Sequence, residues 1–345
     1  EERLEDSTVP GASTLSEGEL TRVLVHYHLG ELKAARRVER GFVNENWIVE
    51  TARGRYFLKR RAPHLRQPDV ISAQHALIAR LRESGFPAPA VLRNNSGETL
   101  TVLGGEFYEI HGYIEGQPYD HDRTAHLEEA AVTLGRYHVH VQGFAPRAMR
   151  ARGELYSPAI LRTNLTNLAE AWRLDRGPES VQAVRRLEAH ADELAAGFAQ
   201  HGALPHLVIH GDYYAGNLLF DDDRIVGVVD YDKARCQPRV VELAEALIYF
   251  ASPRPGHLKH LVYPGTLQWE PFTRFLHHYA RVVALEEREA RALPDYIRCI
   301  WLSISLQRLL EKTEQIYPTE ALEAVHEVLA LGNWAQANAQ RMTEV

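Results

Sequence analysis

The chain has 345 residues, 45% of them hydrophobic and 25% charged, with a formal net charge of −7. This composition is typical of a globular protein with about two domains. The negative charge argues against a general nucleic-acid-binding surface. Two cysteines, Cys236 and Cys299, exclude a disulfide framework and a zinc-binding spacing.

The sequence also argues against a membrane protein. No apolar run approaches the roughly 20 residues that are needed to span a bilayer. The acidic, polar opening stretch predicts no signal peptide and a flexible leader over residues 1–15. We therefore expect a cytoplasmic protein with neither a membrane nor a nucleic acid as its partner.

The next hundred residues predict a small sheet. A short amphipathic helix is predicted over residues 20–29. One longer helix is predicted over residues 70–83. Strands are indicated by alternating or β-branched runs between turn residues, over 34–38, 46–51, 55–59, 91–92, 99–103 and 106–114. The pattern predicts a five-stranded sheet with one helix, and the turn at residues 115–118 marks its end.

Two features of this region are typical of phosphate binding. The loop at residues 39–46 contains Gly41, Asn44 and Asn46, and its backbone N–H groups could cover phosphates. Taken alone, the loop favours a plain hairpin turn, and phosphate binding needs a second nucleotide-binding feature nearby. Lys59 ends the third strand, and a lysine in that place can reach ATP phosphates. A solvated edge lysine is the alternative interpretation, and the neighbouring Arg60 and Arg61 are alternative cations or surface charges.

The remainder of the chain is predicted to be mostly helical. Apolar residues recur at helical spacing in seven stretches, over 127–141, 158–174, 179–198, 240–250, 267–283, 294–311 and 319–337. One stretch, residues 207–234, differs from its surroundings. Its sequence predicts a strand, a loop, a second strand, a tight polar turn at residues 221–223 and a third strand: LVIHGDYYAGNLLFDDDRIVGVVDYDKA.

Polar side chains stand at the ends of these short strands. Asp212 follows the first strand, Asn217 comes five residues later, and Asp230 ends the third strand. Kinase catalytic loops have the same D-x-x-x-x-N spacing, with a metal-binding aspartate further on. The pattern indicates phosphoryl transfer, with Asp212 as the base and with Asn217 and Asp230 as oxygen ligands of Mg²⁺. His210 is interpreted as a structural residue that positions the loop.

Other chemistries find no support in the sequence. The chain has 18 histidines but no H-E-x-x-H pattern. It also lacks the G-x-S-x-G pattern of serine hydrolases.

The motif His210-Gly211-Asp212 with Asn217, followed by Asp230-Tyr231-Asp232, resembles the aminoglycoside phosphotransferase, choline kinase and type II homoserine kinase superfamily. The resemblance covers about residues 20–340. It implies an α+β, protein-kinase-like bilobal fold. The N-terminal lobe, residues 16–112, would hold the five-stranded antiparallel sheet with one helix, and residues 113–345 would form a mainly helical C-terminal lobe.

The same resemblance implies ATP and Mg²⁺ as cofactors of a small-molecule kinase. Lys59 would contact the ATP phosphates, and the loop with Gly41, Asn44 and Asn46 would cover them. The backbone around Gly112 and Ile114 would bind adenine. Asp212, Asn217 and Asp230 would keep the roles that their spacing indicates.

One position departs from the superfamily pattern. The helix glutamate that pairs with the phosphate lysine is expected near Gln74, where a glutamine stands. Either Glu83 or another acid substitutes for it, or Lys59 is held more loosely. A non-catalytic, nucleotide-binding pseudokinase therefore stays an open alternative.

The acceptor is expected to be a small molecule with a hydroxyl group, similar to homoserine, choline or a sugar. An aminoglycoside-modifying phosphotransferase is the other alternative, and a homodimer is left open. Residues predicted to contact the acceptor follow the catalytic loop: Tyr213, Tyr214, Asp232 and Arg235. Further aromatic candidates, which fit a hydrophobic core equally well, are Tyr249, Trp269, Tyr296 and Trp301.

Overall fold

The computed structural model describes residues 15–38, 43–173, 177–253, 266–311 and 321–344. These residues belong to two compact units. The first comprises the chain up to Ala79 together with Pro89–Tyr113, and the second comprises Arg80–Ala88 together with the chain from Ile114 onwards. Of the predicted flexible leader only Leu15 is described, and it is buried in the core of the first unit.

The first unit contains the predicted five-stranded antiparallel sheet. Its strands are β1 (Leu32–Arg37), β2 (Glu45–Thr51), β3 (Gly54–Arg60), β4 (Thr101–Leu103) and β5 (Glu106–Gly112). They lie in the order β1-β2-β3-β5-β4, and every neighbouring pair is antiparallel. The strand predicted at residues 91–92 is reduced to a single bridge between Val91 and His111.

Two helices accompany this sheet. Helix α1 (Glu17–Leu24) begins at Ser16, whose hydroxyl accepts from the Glu19 backbone while the Glu19 carboxylate accepts from the Ser16 backbone. This capping box satisfies two N–H groups that the first turn would otherwise leave unpaired. Helix α2 (Pro68–Glu83) follows β3.

Alternation along β3 and β5 produces two different faces of the sheet. Leu58 and Ile110 are neighbours in register and belong to the apolar core that includes α1 residues. Lys59 and Glu109, the next register pair, must point the opposite way because successive side chains alternate. Both are buried, so this sheet places a cation and an acid side by side away from water.

The second unit is mainly helical. Its helices are α3 (Thr124–His140), α4 (Arg147–Ala151), α5 (Pro158–Arg173), α6 (Gly177–Phe198), α7 (Arg239–Phe250), α8 (Trp269–Ala280), α9 (Glu287–Glu311), α10 (Ala321–Ala337) and α11 (Ala339–Thr343). An apolar core joins α5, α6, α9 and α10, through residues such as Leu168, Leu187, Leu302 and Val328. Among the described residues, every helix is too short or too polar to cross a lipid bilayer.

Short strands interrupt the helices where the candidate site lies. Strand β7 (His206–Ile209) pairs with β10 (Arg235–Pro238). Strand β8 (Leu218–Asp221) pairs with β6 (Gln117–Pro118) and with β9 (Arg224–Val228). Helix α7 begins directly after β10, and all of its residues are buried.

Candidate active site

The loop after β7 turns sharply at Gly211. The residue has φ +78°, and a Cβ atom there would lie 2.8 Å from the Lys233 carbonyl oxygen. A side chain would therefore be strained by the backbone conformation and would also clash with neighbouring backbone. Glycine is needed at this position for both reasons.

A buried chain of polar groups holds this turn in place. The Gly211 N–H donates to Glu242 Oε1 at 2.7 Å. Glu242 Oε2 lies 2.9 Å from His138 Nε2, and His138 Nδ1 lies 2.7 Å from the Tyr279 hydroxyl. Helices α3, α7 and α8 thus each contribute one group to the network that shapes the loop.

His210 makes two backbone contacts next to this turn. Its Nδ1 accepts from the Asp212 N–H at 3.3 Å, which leaves Nε2 to donate to the Val229 carbonyl at 3.1 Å. The ring is fully buried. These contacts join the loop to the residue that follows β9.

The three candidate catalytic residues lie around this loop. Asn217 Nδ2 donates to the Asp212 carbonyl at 2.9 Å and lies 3.3 Å from Asp212 Oδ2. The Val229 N–H donates to the Asn217 carbonyl at 3.0 Å, which places the following residue, Asp230, beside the same segment. Asp230 has φ +67°, a left-handed conformation that is uncommon for a residue with a side chain.

Lys233 is a functional candidate that the sequence did not single out. Its Nζ lies 2.7 Å from Asp212 Oδ1. Lys233 stands between Asp232 and Ala234 in the motif, at a position for which the sequence predicted no role. It lies close to Asp212 because the two loops fold back towards each other. Its proximity to Asp212, 21 positions away, left no local signal in the sequence.

A second buried acid lies near this pair. Glu245 Oε1 accepts from the Tyr156 hydroxyl at 2.9 Å, while Oε2 is buried with no hydrogen-bond partner among the described residues. Burial raises the pKa of Glu245 to about 8, and the charge of Asp212 contributes to the shift.

Two arginines brace the segment that leads into β10. Arg152 donates to the carbonyls of Asp232 and Ala234 at 2.8 and 2.6 Å. Arg235 donates to the Lys233 and Gly153 carbonyls, and burial lowers the pKa of its guanidinium to about 10. These contacts give Arg235 a structural role in addition to its predicted contact with the acceptor.

The aromatic candidates have different surroundings. Tyr213 is buried, and its hydroxyl donates to the Ala130 carbonyl at 2.8 Å, which makes it a core residue. Trp301 is also in the core and donates to the Val328 carbonyl. Tyr214 is half-buried and stacks on Tyr249 with ring centroids 5.1 Å apart.

Two more aromatic candidates pack against neighbouring side chains. Tyr296 is buried, and its ring centroid lies 4.7 Å from that of Phe198. The half-buried Trp269 stacks on Phe272, and the Arg341 guanidinium lies over its ring.

In the first unit, Glu109 supplies the acid that is missing at Gln74. The Lys59 ammonium lies 3.8 Å from Glu109 Oε1, across the β3–β5 pair. Gln74 instead accepts from Arg61, which also donates to Glu109 Oε2 at 3.0 Å. Glu83 is exposed at the end of α2, whereas Lys59 is buried. An acid beside Lys59 therefore stands on a strand.

Glu109 also contacts two imidazoles. His75 Nε2 lies 2.8 Å and His111 Nε2 lies 3.3 Å from its carboxylate, and the three residues have the donor atoms of a metal site. Lys59 and Arg61 already lie against the same carboxylate, and their charges would repel a bound cation. Burial raises the pKa of Glu109, but the Arg61 charge and the histidine hydrogen bonds outweigh it and hold the pKa well below its ordinary value. The positive side chains of Lys59 and Arg61 therefore make this cluster an unfavourable site for a metal ion.

The loop residues predicted to cover phosphates are described only in part. Gly41 lies outside the described residues. The Asn44 side chain accepts from the Ala62 N–H at 3.0 Å. Asn46 stands opposite Lys59 in the β2–β3 register, and its side-chain oxygen is buried with no hydrogen-bond partner in the described part of the chain.

Both residues predicted to lie near adenine contact neighbouring residues, one through its backbone and one through its side chain. Gly112 ends β5, and its N–H donates to the Ala90 carbonyl at 2.8 Å. The Ile114 side chain packs against Gly227 of β9, where a Cβ atom would lie only 3.0 Å from it.

Comparison with known proteins agrees with these observations. Residues 34–293 match the sequence model described as the phosphotransferase enzyme family. The homoserine kinase of Bradyrhizobium diazoefficiens is 28% identical over 293 residues, which cover 85% of this chain and 84% of that protein. The homoserine kinase of Pseudomonas aeruginosa PAO1 is 29% identical over 246 residues, 71% and 73% of the two chains.

Three solved structures that share the fold are named as kinases or phosphotransferases. An aminoglycoside phosphotransferase from Alicyclobacillus acidocaldarius superposes with a TM-score of 0.67 at 17% identity, covering 97% of both chains. A microcompartment-associated aminopropanol kinase gives 0.65 at 16% identity, covering 95% of this chain and 99% of that one. The amicoumacin kinase hAmiN in complex with AMP-PNP, Ca²⁺ and Ami gives 0.67 at 16% identity, covering 90% and 91%.

The predicted α+β, kinase-like fold is thereby confirmed. The fold and the matches define a small-molecule phosphotransferase, a kinase that acts on hydroxyl groups. The family model covers well over half of the sequence, and the chain belongs to the phosphotransferase enzyme family.

Proposed function

We propose that the chain is an ATP- and Mg²⁺-dependent kinase that transfers the γ-phosphoryl group to a hydroxyl of a small metabolite. The observation that carries the proposal is the double contact of the Asn217 amide with Asp212, on a loop that also adjoins Asp230. Asp212 serves as the base. Lys59, anchored by Glu109, contacts the ATP phosphates.

The residues at the proposed metal site have suitable chemistry. Mg²⁺ prefers oxygen ligands, and Asn217 and Asp230 offer an amide and a carboxylate oxygen. Because Asn217 donates to Asp212 through its nitrogen, its amide oxygen is turned away from that carboxylate. Asn217 and Asp230 would hold Mg²⁺, which when bound offsets the negative charge of the phosphates.

The proposed reaction is an in-line displacement. The acceptor hydroxyl oxygen forms a bond to the γ-phosphorus, the bond to the bridging oxygen breaks, and ADP leaves with that electron pair. The hydroxyl proton passes to the Asp212 carboxylate. The products are ADP and the phosphorylated acceptor.

An amino alcohol is the proposed acceptor class, with homoserine as the first compound to test. Two relatives named homoserine kinase and a structural neighbour named aminopropanol kinase support this class. Choline, sugars and aminoglycosides are the alternative acceptors.

An ATP-consumption screen over these acceptors tests the proposal. We expect turnover on at least one amino alcohol in the presence of Mg²⁺. Asp212→Asn should lower kcat by at least about 100-fold, because the base is lost, while the thermal shift caused by Mg·ATP is retained. Asp122→Asn, at an exposed position, is the matched control and should keep full activity.

If the Asp212→Asn variant kept its turnover, Asp212 would not be the base. Stabilisation by Mg·ATP without turnover on any acceptor would favour the pseudokinase alternative. That alternative rested on Gln74, and the Glu109 carboxylate beside Lys59 weakens its support.

A further inference from the structure

Lys233 stands among carboxylates at the candidate site. Its ammonium lies 2.7 Å from Asp212 Oδ1, and its side chain keeps 38% of its surface exposed. Burial lowers the pKa of Lys233, but the charge and hydrogen bond of Asp212, together with the charge of Asp230, outweigh that effect and raise it. The side chain therefore carries a positive charge at neutral pH while it remains open to solvent.

The backbone of Lys233 is fixed from two sides. Gly211 approaches its carbonyl so closely that a Cβ atom would lie 2.8 Å from the oxygen. The same carbonyl accepts from Arg235 Nε at 2.9 Å. Because both contacts hold the main chain, only the flexible four-carbon side chain is left to move. The side chain therefore starts from a fixed backbone position, and the ammonium moves only as far as its four-carbon chain allows.

We propose that Lys233 is a second catalytic residue, whose ammonium contacts the phosphoryl group during transfer and offsets the charge on its oxygens. This role rests on the proposed kinase function. While the new oxygen–phosphorus bond forms and the bond to ADP breaks, Asp212 takes the hydroxyl proton. Lys233 keeps its own protons throughout and supplies only charge and hydrogen bonds.

Distances make this contact feasible. A hydroxyl bound to Asp212 would lie about 2.7 Å from the carboxylate, and Lys233 Nζ lies 2.7 Å from the same group. Where both groups bind Oδ1, the ammonium is within about 5.5 Å of the attacking oxygen, as two hydrogen-bond lengths in series. The phosphorus would be about 3 Å beyond that oxygen. A rotation of the lysine side chain can close the remaining gap.

The test compares Lys233→Met with Lys33→Met, an exposed lysine on β1. Two rates are measured, ATP consumption with the best acceptor and the acceptor-free hydrolysis of ATP by water. We expect Lys233→Met to lower kcat by about 100-fold or more, as for other lost transition-state contacts, with KM for ATP changed less than threefold. The control should behave like the wild type.

Binding measurements separate catalysis from structure. ADP with aluminium fluoride mimics the phosphoryl group in transfer, whereas AMP-PNP mimics bound ATP. Lys233→Met should lose most of the thermal stabilisation by ADP–aluminium fluoride and keep that by AMP-PNP. Equal losses for both ligands, or a kcat within threefold of the wild type, would overturn the proposal.

Lys233→Gln decides the matter if the methionine variant does not fold. Glutamine can still donate to Asp212 but carries no charge, so we expect the same loss of kcat. Wild-type kcat in this variant would assign Lys233 to a hydrogen-bonding role and overturn the proposal. A wild-type protein that neither binds nor turns over ATP would instead overturn the proposed function, and the role of Lys233 with it.

Discussion

At Glu109 a fully buried carboxylate contacts two cations and two imidazoles. We predict that Glu109→Gln raises KM for ATP about tenfold, because Lys59 loses its anionic neighbour and its ammonium is no longer held against β5. Removing one partner of a buried ion pair also costs about 3–5 kcal/mol of unfolding free energy. Steady-state kinetics and urea unfolding would measure the two effects.

Glu50→Gln, at an exposed β2 position, is the control for the Glu109 variant and should change neither quantity. The KM for the acceptor should also stay constant in Glu109→Gln, since the substitution lies on the ATP side of the proposed chemistry. An unchanged KM for ATP in that variant would contradict a positioning role for Glu109.

The residues that could be predicted are those whose chemistry depends on local spacing. Asp212 and Asn217 are five positions apart on one loop, so the sequence itself brings them together. Glu109 and Lys233 could not be found in this way. Their contacts depend on strand register and on loops that return to the site, with partners 50 and 21 positions away for Lys59–Glu109 and Asp212–Lys233.

At the scale of elements, the loop that carries Asp212 turns at Gly211, which has a positive φ and a close backbone neighbour. We predict that Gly211→Ala lowers kcat at least tenfold, because the added methyl group must displace the Lys233 carbonyl. Gly143→Ala is the matched control, since Gly143 also has positive φ but no atom within 4 Å of its would-be Cβ. Both variants should lose about 1 kcal/mol of stability from the strained φ.

Kinetic assays and thermal unfolding of these two glycine variants would distinguish conformational strain from the clash. Equal kcat values for Gly211→Ala and Gly143→Ala would show that the close approach to Lys233 has no part in activity.

Apolar periodicity predicted most helices and strands of the fold, but it located their ends less accurately. Helix α7 was predicted to within one residue. Helix α9 was predicted to begin at Pro294, but it begins at Glu287 and carries the proline inside. Proline is favoured in the first turn of a helix, which is why the helix was predicted to start at Pro294. The helix starts earlier because the residues on both sides of Pro294 are buried in packed contacts. Strand β10 has no apolar run of its own and forms because it pairs with β7.

At the scale of the whole molecule, Glu245 links stability to pH. Burial raises its pKa from 4.5 to about 8, so between these values the folded chain keeps a proton that the unfolded chain releases. The free energy of unfolding should therefore fall as pH rises across this window and level off above it, by about 1.4 kcal/mol for each pKa unit.

Glu245→Gln should remove this slope, because glutamine does not titrate. Urea unfolding at pH 5 and pH 8, monitored by circular dichroism, would measure the effect. At pH 8 the free energy of unfolding of the variant should rise relative to that of the wild type. Glu327→Gln, at an exposed α10 position, should leave the slope unchanged. Parallel pH curves for wild type and Glu245→Gln would contradict the prediction.

The buried chain from Tyr279 through His138 and Glu242 to Gly211 has a consequence for how the protein becomes active. Its hydrogen bonds join residues 141, 104 and 31 positions apart. The catalytic turn can thus take its shape only after α3, α7 and α8 have all packed together. On the proposed function, we therefore expect a chain that ends before α8 to lack the formed turn and to consume no ATP.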